Sequence, residues 1–203
     1  MRRNDRVIVV AGGISAEREV SFRSGKGTWE ALIRLGWKAE LVDARDPIPI
    51  HQDAIYFNSL HGCFGEDGGF QSLMEHYQLP YTGSGVRASK LAMNKALTKH
   101  IMLREAIPTL PFQCISRAED EMNLPFPIVS KPVAQGSSVG VQICETQEEY
   151  RANIQHTTEH YGACMVEKYL QGTEVTVGVI EHKGAVIALP VLQLISDNRM
   201  YDY

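Results

Sequence analysis

Three glycine-rich turns carry the residues of this chain best suited to chemistry. The first is Gly12-Gly13-Ile14-Ser15-Ala16-Glu17-Arg18-Glu19-Val20-Ser21. It follows Val7-Ile8-Val9-Val10-Ala11, a β-branched run that reads as a fully buried, parallel strand. A buried strand that ends in two glycines and opens a helix leaves backbone N–H groups at the carboxyl edge of a sheet, where α/β folds bind ligands. The turn does not spell the G-x-G-x-x-G of a dinucleotide site, and its acids would repel a pyrophosphate. Two roles stay open for Glu17 and Glu19: holding a ligand's ammonium group, or complementing the helix dipole as solvated first-turn acids.

The second turn is Leu60-His61-Gly62-Cys63-Phe64-Gly65-Glu66-Asp67-Gly68-Gly69, again between a strand and a helix. It sets His61 at the same sheet edge as Glu17, either to hold a carboxylate or relay a proton, or simply as a capping histidine. The third, Lys131-Pro132-Val133-Ala134-Gln135-Gly136-Ser137-Ser138-Val139-Gly140, joins two strands. Without a G-K-[ST] ending it is no P-loop, yet backbone amides at Gly136, Ser137 and Ser138 can cover phosphate oxygens. Lys131 stands in an apolar strand, where an ammonium needs a partner or a route to solvent. A phosphate would supply the partner; an edge-strand position would supply the route. Glu167, Lys168 and Glu174 are charges within or beside apolar β runs. They can serve a base and a ribose, with the backbone of 167–170 offering edge contacts, or face solvent.

The elements around these turns read as two kinds of architecture. Phe22, Trp29, Leu32 and Ile33 predict a helix to Leu35, stopped by Gly36. Strands follow at 37–42 and 54–57. Phe70, Leu73, Met74 and Tyr77 lie at i, i+3, i+4, i+7 and predict a helix from about Gly68. Leu79-Pro80-Tyr81 is short and extended, and Thr82-Gly83-Ser84-Gly85 breaks the chain. This order predicts a small parallel α/β unit over residues 1–85. Beyond it, one helix is expected over 89–106, and capping boxes Ser116-x-x-Glu119 and Thr146-x-x-Glu149 are expected to start two more. Strands are expected at 128–132, 140–144, 164–170, 174–180 and 185–195, the last two joined by a turn at His182-Lys183-Gly184. Helices mixed with antiparallel strands imply a separate α+β domain.

Composition sets the outer limits. The 203 residues are 44% hydrophobic and 22% charged, which excludes wholesale disorder, and a net charge of −4 offers nothing to draw nucleic acid or an anionic membrane. Cys63, Cys114, Cys144 and Cys164 form no C-x-x-C pair and read as free thiols in a reducing compartment. Five apolar residues after a basic start are too few for a signal or a membrane span, so a cytoplasmic location is expected.

Taken together, the motifs resemble the D-alanine–D-alanine ligases of the ATP-grasp superfamily. The resemblance rests on Gly12-Gly13-x-Ser15-Ala16-Glu17-Arg18-Glu19-Val20-Ser21, Leu60-His61-Gly62, Gly65-Glu66-Asp67-Gly68, Pro80-Tyr81-Thr82-Gly83-Ser84-Gly85-Val86 and Met93-x-Lys95. Lys131-Pro132, Gly136-Ser137-Ser138-Val139-Gly140, Glu167-Lys168, Glu174-x-Thr176-Val177 and Tyr201-Asp202-Tyr203 complete it, in family order over nearly the whole chain. Each is weak alone; the set is specific. The resemblance implies an α/β parallel-sheet domain at 1–85 for the first substrate, then an α+β ATP-grasp domain incomplete at its C-terminus. Its central lobe would span 86–172, and its last lobe would begin at 173–203.

The implied reaction phosphorylates the carboxylate of one D-alanine with ATP, and a second D-alanine then attacks the acyl phosphate. It would serve peptidoglycan synthesis. By the family pattern Glu17 and Ser137 are catalytic, Glu17 holds the first D-alanine's ammonium and His61 lies beside that substrate. Lys95 and Lys131 contact phosphates, with Gly136, Ser137 and Ser138 on the phosphate loop. Glu167, Lys168 and Leu170 line the adenine pocket, and Glu174 binds ribose. D-alanine, ATP and a second copy of the chain are the implied partners. The family's mobile Tyr- and Lys-bearing loop, its arginine and its magnesium ligands have no counterpart in this sequence. Magnesium would therefore be held beyond residue 203, and the 203 residues alone are expected not to make the dipeptide. Asp197 and Asp202 are the first acids to examine should they do so. A D-alanine–D-lactate ligase and a non-catalytic nucleotide-binding relative are the alternatives.

Overall fold

Residues 6–195 are described by a computed structural model. The first unit grows from the buried run near the start. Strand β1 (Arg6–Ala11) lies between β2 (Lys38–Asp43) and β3 (Ala54–Asn58), both parallel to it. Val7 to Ala11 are all at most 2% exposed, as a strand covered on both faces requires. Helix α1 (Arg18–Arg34) packs on one face. Its Gly25 approaches so closely that a Cβ there would sit 2.6 Å from the Ala11 Cβ. On the other face, Ile8, Val10 and Tyr56 meet Phe70 and Met74 of α2 (Gly69–His76) in one core. Tyr81 bridges to Tyr56 in parallel and lengthens the sheet beyond β3.

The helix expected over 89–106 is two helices, α3 (Val86–Met93) and α4 (Lys95–Arg104). Asn94 divides them. It is extended (φ −86°, ψ 98°), and its side-chain oxygen accepts the Leu97 N–H at 3.0 Å, so it caps α4 instead of continuing α3.

The second unit is an antiparallel sheet. Its strands are β4 (Phe112–Ile115), β5 (Ile128–Pro132), β6 (Gln142–Cys144) and β7 (Cys164–Lys168), in the order β4-β7-β5-β6. Helix α5 (Gln147–Tyr161) covers one face, closing a core of Ile115, Ile128, Cys144, Tyr150, Ile154, Cys164 and Val166. Thr146 caps α5 by accepting the Glu149 N–H, as its motif predicts. The Ser116 motif starts no helix: the Asp120 carboxylate accepts both the Ser116 and Arg117 N–H groups and closes a turn. Strand β4 is four residues between Pro111 and Ser116, too short to leave a periodic signal. The long β runs after Gly172 break into β8 (Val175–Thr176), β9 (Val179–His182), β10 (Ala185–Ala188) and β11 (Leu192–Gln193), pairing as β9 with β10 and β8 with β11. Lys183 (φ 52°) and Gly184 (φ 79°) form the expected turn between β9 and β10. Asp197 and Tyr201-Asp202-Tyr203 lie outside the described residues. Among the described residues, no helix is long and apolar enough to cross a membrane.

Candidate active site

The three glycine-rich turns converge. The first is fixed at the end of β1, where Gly12 and Gly13 adopt φ near +76°. A side chain on Gly12 would strike the Phe22 ring at 2.5 Å and Asp43 Oδ1 at 2.6 Å. Asp43, at the end of β2, holds the turn by accepting from the Gly13 N–H and from the two terminal guanidinium nitrogens of Arg18, at 3.1, 2.8 and 2.6 Å. Those bonds, led by the one from Arg18, hold the Asp43 carboxyl well below the usual carboxylate range. Arg18 is thus a structural clamp, and Glu17 is the one buried charge of the turn. It is 6% exposed and accepts the hydroxyl of Ser137, from the third turn.

The second turn closes the same corner. Gly62 (φ 67°) lies so close that a Cβ would meet Glu17 Oε2 at 2.5 Å. Glu66 accepts the Gly62 N–H at 2.7 Å, and its other oxygen is 3.9 Å from His61 Nδ1. A Cβ at Gly136 would stand 3.5 Å from Glu17 Oε2 and 3.9 Å from Glu66 Oε2. His61 itself lines an adjoining cavity of about 540 Å³ beneath α3, and its Nε2 is buried with no hydrogen-bond partner among the described residues. On the third turn, Ser137 (φ 46°) and Ser138 (φ 58°) are successive non-glycine residues in the left-handed region. Such backbone is uncommon and clusters at ligand clamps.

Beside this corner runs a cleft of about 650 Å³ between β5, β7 and the segment to Glu174. Lys95, Lys131, Ser138, Glu167, Lys168, Leu170 and Glu174 all line it; of the residues expected to bind nucleotide, only Gly136 and Ser137 fall outside its wall. Lys131 is not in an edge strand, since β5 lies between β7 and β6, although the pairing to β6 ends at Ser130. Its ammonium pairs with Glu167 Oε1. Lys99 of α4 takes Glu167 Oε2 at 2.6 Å. Burial pushes the Glu167 carboxyl up, but the Lys131 and Lys99 ammoniums outweigh it and the net direction is down. The Lys95 ammonium donates to the Gln135 carbonyl; burial, then the charge of Lys131, pulls it below its ordinary value.

Three residues of this arrangement escape a reading of the sequence. Asp43 ends an alternating strand and carries no mark of a clamp. Glu66 reveals itself only through the fold of its turn. Lys99 had a signal, the i, i+4 spacing from Lys95 on one helix face, which means a shared environment when the helix is buried. Among the described residues, no group of three or more His, Cys, Asp or Glu side chains is placed so that it could hold a metal ion.

Comparison with known proteins shows what the chain is similar to as a whole. The family model described as the D-ala D-ala ligase C-terminus matches residues 97–203. The chain is 38% identical over 204 residues to the D-alanine–D-alanine ligase of Syntrophotalea carbinolica, covering 98% of this chain and 66% of that protein. It is 38% identical over 209 residues to the enzyme of the same name from Pelobacter propionicus, covering 99% of this chain and 66% of that one. It thus spans about two thirds of the length of these curated relatives. Among solved structures, the D-alanine–D-alanine ligase of Helicobacter pylori superposes with a TM-score of 0.82 at 23% identity, over 97% of this chain and 76% of that one, a likeness of fold. On the sequence matches, the chain belongs to the D-alanine–D-alanine ligase family.

Proposed function

We propose that this chain takes part in the ATP-dependent joining of two D-alanines into D-alanyl-D-alanine through an acyl phosphate. The observation that carries the reading is the Glu17–Ser137 contact, which sets the turn after β1 against the Gly/Ser loop, beside a lysine-lined cleft. An amino acid whose ammonium rests on Glu17 would present its carboxylate toward the Gly/Ser loop and the phosphates beyond it. Glu17 is buried and hydrogen-bonded, so its charge is directed at a cation rather than spread into solvent. Lys95 and Lys131 would neutralise phosphate oxygens, and the amides of the loop at Gly136, Ser137 and Ser138 would cover them. Glu167, Lys168 and Leu170 would receive the base, Glu174 the ribose, and His61 the flank of the first amino acid. Holding both reactants at one corner supplies orientation, the main lever in phosphoryl transfer.

The same reading divides the chain into a first-substrate unit (1–85), a central ATP-grasp lobe (86–172) and the start of a last lobe (173–203). It includes magnesium as the nucleotide's companion, a homodimer, and a cytoplasmic place in peptidoglycan synthesis. The deciding assay is formation of D-alanyl-D-alanine from D-alanine, ATP and Mg²⁺ by the product of the complete reading frame. The expected result is dipeptide and ADP in equal amounts. Failure to bind ATP and failure to form dipeptide would overturn the reading.

A further inference from the structure

Glu167 is held from two sides by two lysines in different settings. Lys131 reaches Oε1 from β5 and lines the cleft. Lys99 reaches Oε2 at 2.6 Å from α4 and forms no part of the cleft wall. Its ammonium also donates to the Leu110 carbonyl at 3.1 Å and lies 5.2 Å from the centroid of the Phe112 ring. Lys99 is only 9% exposed, and its contacts tie it to the protein interior. The remaining strand beside Glu167, β4, puts uncharged Phe112 opposite it. The third lysine of the cluster, Lys95, is turned to the Gln135 carbonyl.

This arrangement bears on how Lys131 meets a phosphate. An ammonium that leaves a buried carboxylate for a ligand exposes that carboxylate to the full cost of an uncompensated charge. Glu167 avoids the cost only if a second cation stays with it. We propose that Lys99 is a positioning residue for nucleotide binding: it is the standing counter-ion of Glu167, which lets Lys131 exchange the carboxylate for a nucleotide phosphate. The proposal rests on the reading of the cleft as the ATP site. Lys99 touches no nucleotide; it acts through Glu167 and Lys131. With Lys99 gone, Lys131 is needed where it already stands.

The test is a double-mutant cycle read by ATP titration calorimetry on the wild type, Lys99→Met, Glu167→Gln and the double variant. Lys99→Met is expected to weaken ATP binding at least about tenfold in the wild-type background. In the Glu167→Gln background, where no carboxylate needs a counter-ion, the same change is expected to cost less than about twofold. In steady-state turnover of the complete enzyme, the Lys99→Met loss falls on the KM for ATP and leaves that for D-alanine nearly unchanged. Equal ATP affinity in the wild type and Lys99→Met overturns the proposal. Equal losses in the two backgrounds make Lys99 a packing residue and overturn it as well. Should Lys99→Met alone fail to melt cooperatively, Glu167→Gln against the double variant decides: a further loss overturns the proposal, and none supports it. If the wild type does not bind ATP, it is the reading of the cleft that fails, a result distinct from all of these.

Discussion

At the scale of single residues, the site is a set of charges placed where burial makes them costly unless used. Glu17 and Glu167 are 6% and 8% exposed. Each has hydrogen-bonding partners, and each partner belongs to another segment of the chain. Truncating a charge here removes a structural contact along with any role in binding, and the readout must separate the two. For Lys131→Met, ATP affinity is expected to fall at least about tenfold, or 1.4 kcal/mol, in titration calorimetry. Unchanged affinity would remove Lys131 from the phosphate site. For Glu17→Gln, the amide can still accept from the Ser137 hydroxyl but no longer offers a negative charge. Loss of one charge-assisted bond to an ammonium corresponds to about 1.5–3 kcal/mol. In steady-state kinetics of the complete enzyme, the KM for the first D-alanine should rise by that factor while the KM for ATP stays near its wild-type value. A rise confined to ATP would assign the turn after β1 to the nucleotide instead. Most of these side chains were legible in the sequence, because a glycine-rich turn after a buried strand and a lysine inside an apolar strand are conspicuous. What the sequence could not reveal was pairing. Nothing in the spacing says that Lys131 rests on Glu167, or that Arg18 is taken up by Asp43, since those partners are 36 and 25 residues apart and meet only through strand order.

At the scale of elements, the turns owe their positions to how closely helices and strands approach. Helix α1 contains two glycines only two residues apart, and the fold treats them in opposite ways. A Cβ on Gly25 would lie 2.6 Å from the Ala11 Cβ and 3.4 Å from Leu41 Cδ1, so the glycine is what lets α1 lie down on β1. A Cβ on Gly27 would meet nothing within 4 Å. Both are helix-interior glycines, where alanine is favoured by about 0.5–1 kcal/mol. Gly27→Ala is therefore expected to stabilise the protein by about that amount. Gly25→Ala is expected to destabilise it, since overpacking costs about 1–3 kcal/mol and exceeds the helical gain. Chemical denaturation of both variants checks the pair; two shifts of the same sign would show that α1 does not rest on β1 through Gly25. Element boundaries were legible where periodicity was long. They failed where a side chain competes with the backbone locally. Asn94 divides a helix that looks continuous, and Asp120 closes a turn where Ser116-x-x-Glu119 suggested a helix start. The β runs after Gly172 looked like two long strands. They are four short ones, because Gly178 and Pro190 fall inside them and a strand interior tolerates neither well.

At the scale of the molecule there are two cores, one beneath the parallel sheet and one beneath the antiparallel sheet, and the Glu17–Ser137 contact makes a junction between the two parts. Each half also stakes stability on one ionised carboxylate beside that junction, and this links the fold to pH. Asp43 fastens the turn after β1 to the first sheet, held well below the usual range chiefly by its bonds to Arg18. Glu167 ties β7 to β5 and α4; burial raises its carboxyl, and the two lysines more than reverse that. Both folded-state values lie below the unfolded ones, which are about 3.9 for Asp and 4.3 for Glu. The unfolded chain therefore binds protons first as the pH falls. The stability each pair contributes is fully present above about pH 5 and is lost as the pH drops through the folded values. The melting temperature should accordingly be flat with respect to these groups between about pH 6 and 8 and fall steadily below about pH 4.5. Asp43→Asn should melt below the wild type at pH 7, because the amide cannot match the carboxylate's hold on Arg18. The gap should begin to narrow as the pH falls below about 4, where the unfolded chain takes up its proton first, and close only once the pH is below the folded value. Glu167→Gln should converge in the same way, since protonated Glu167 leaves Lys99 and Lys131 facing each other without their counter-ion. Scanning calorimetry of the three proteins across that range measures the gaps directly. A gap for Asp43→Asn as wide at pH 3 as at pH 7 would mean that the aspartate contributes shape rather than charge, and the electrostatic account of the turn after β1 would have to be given up.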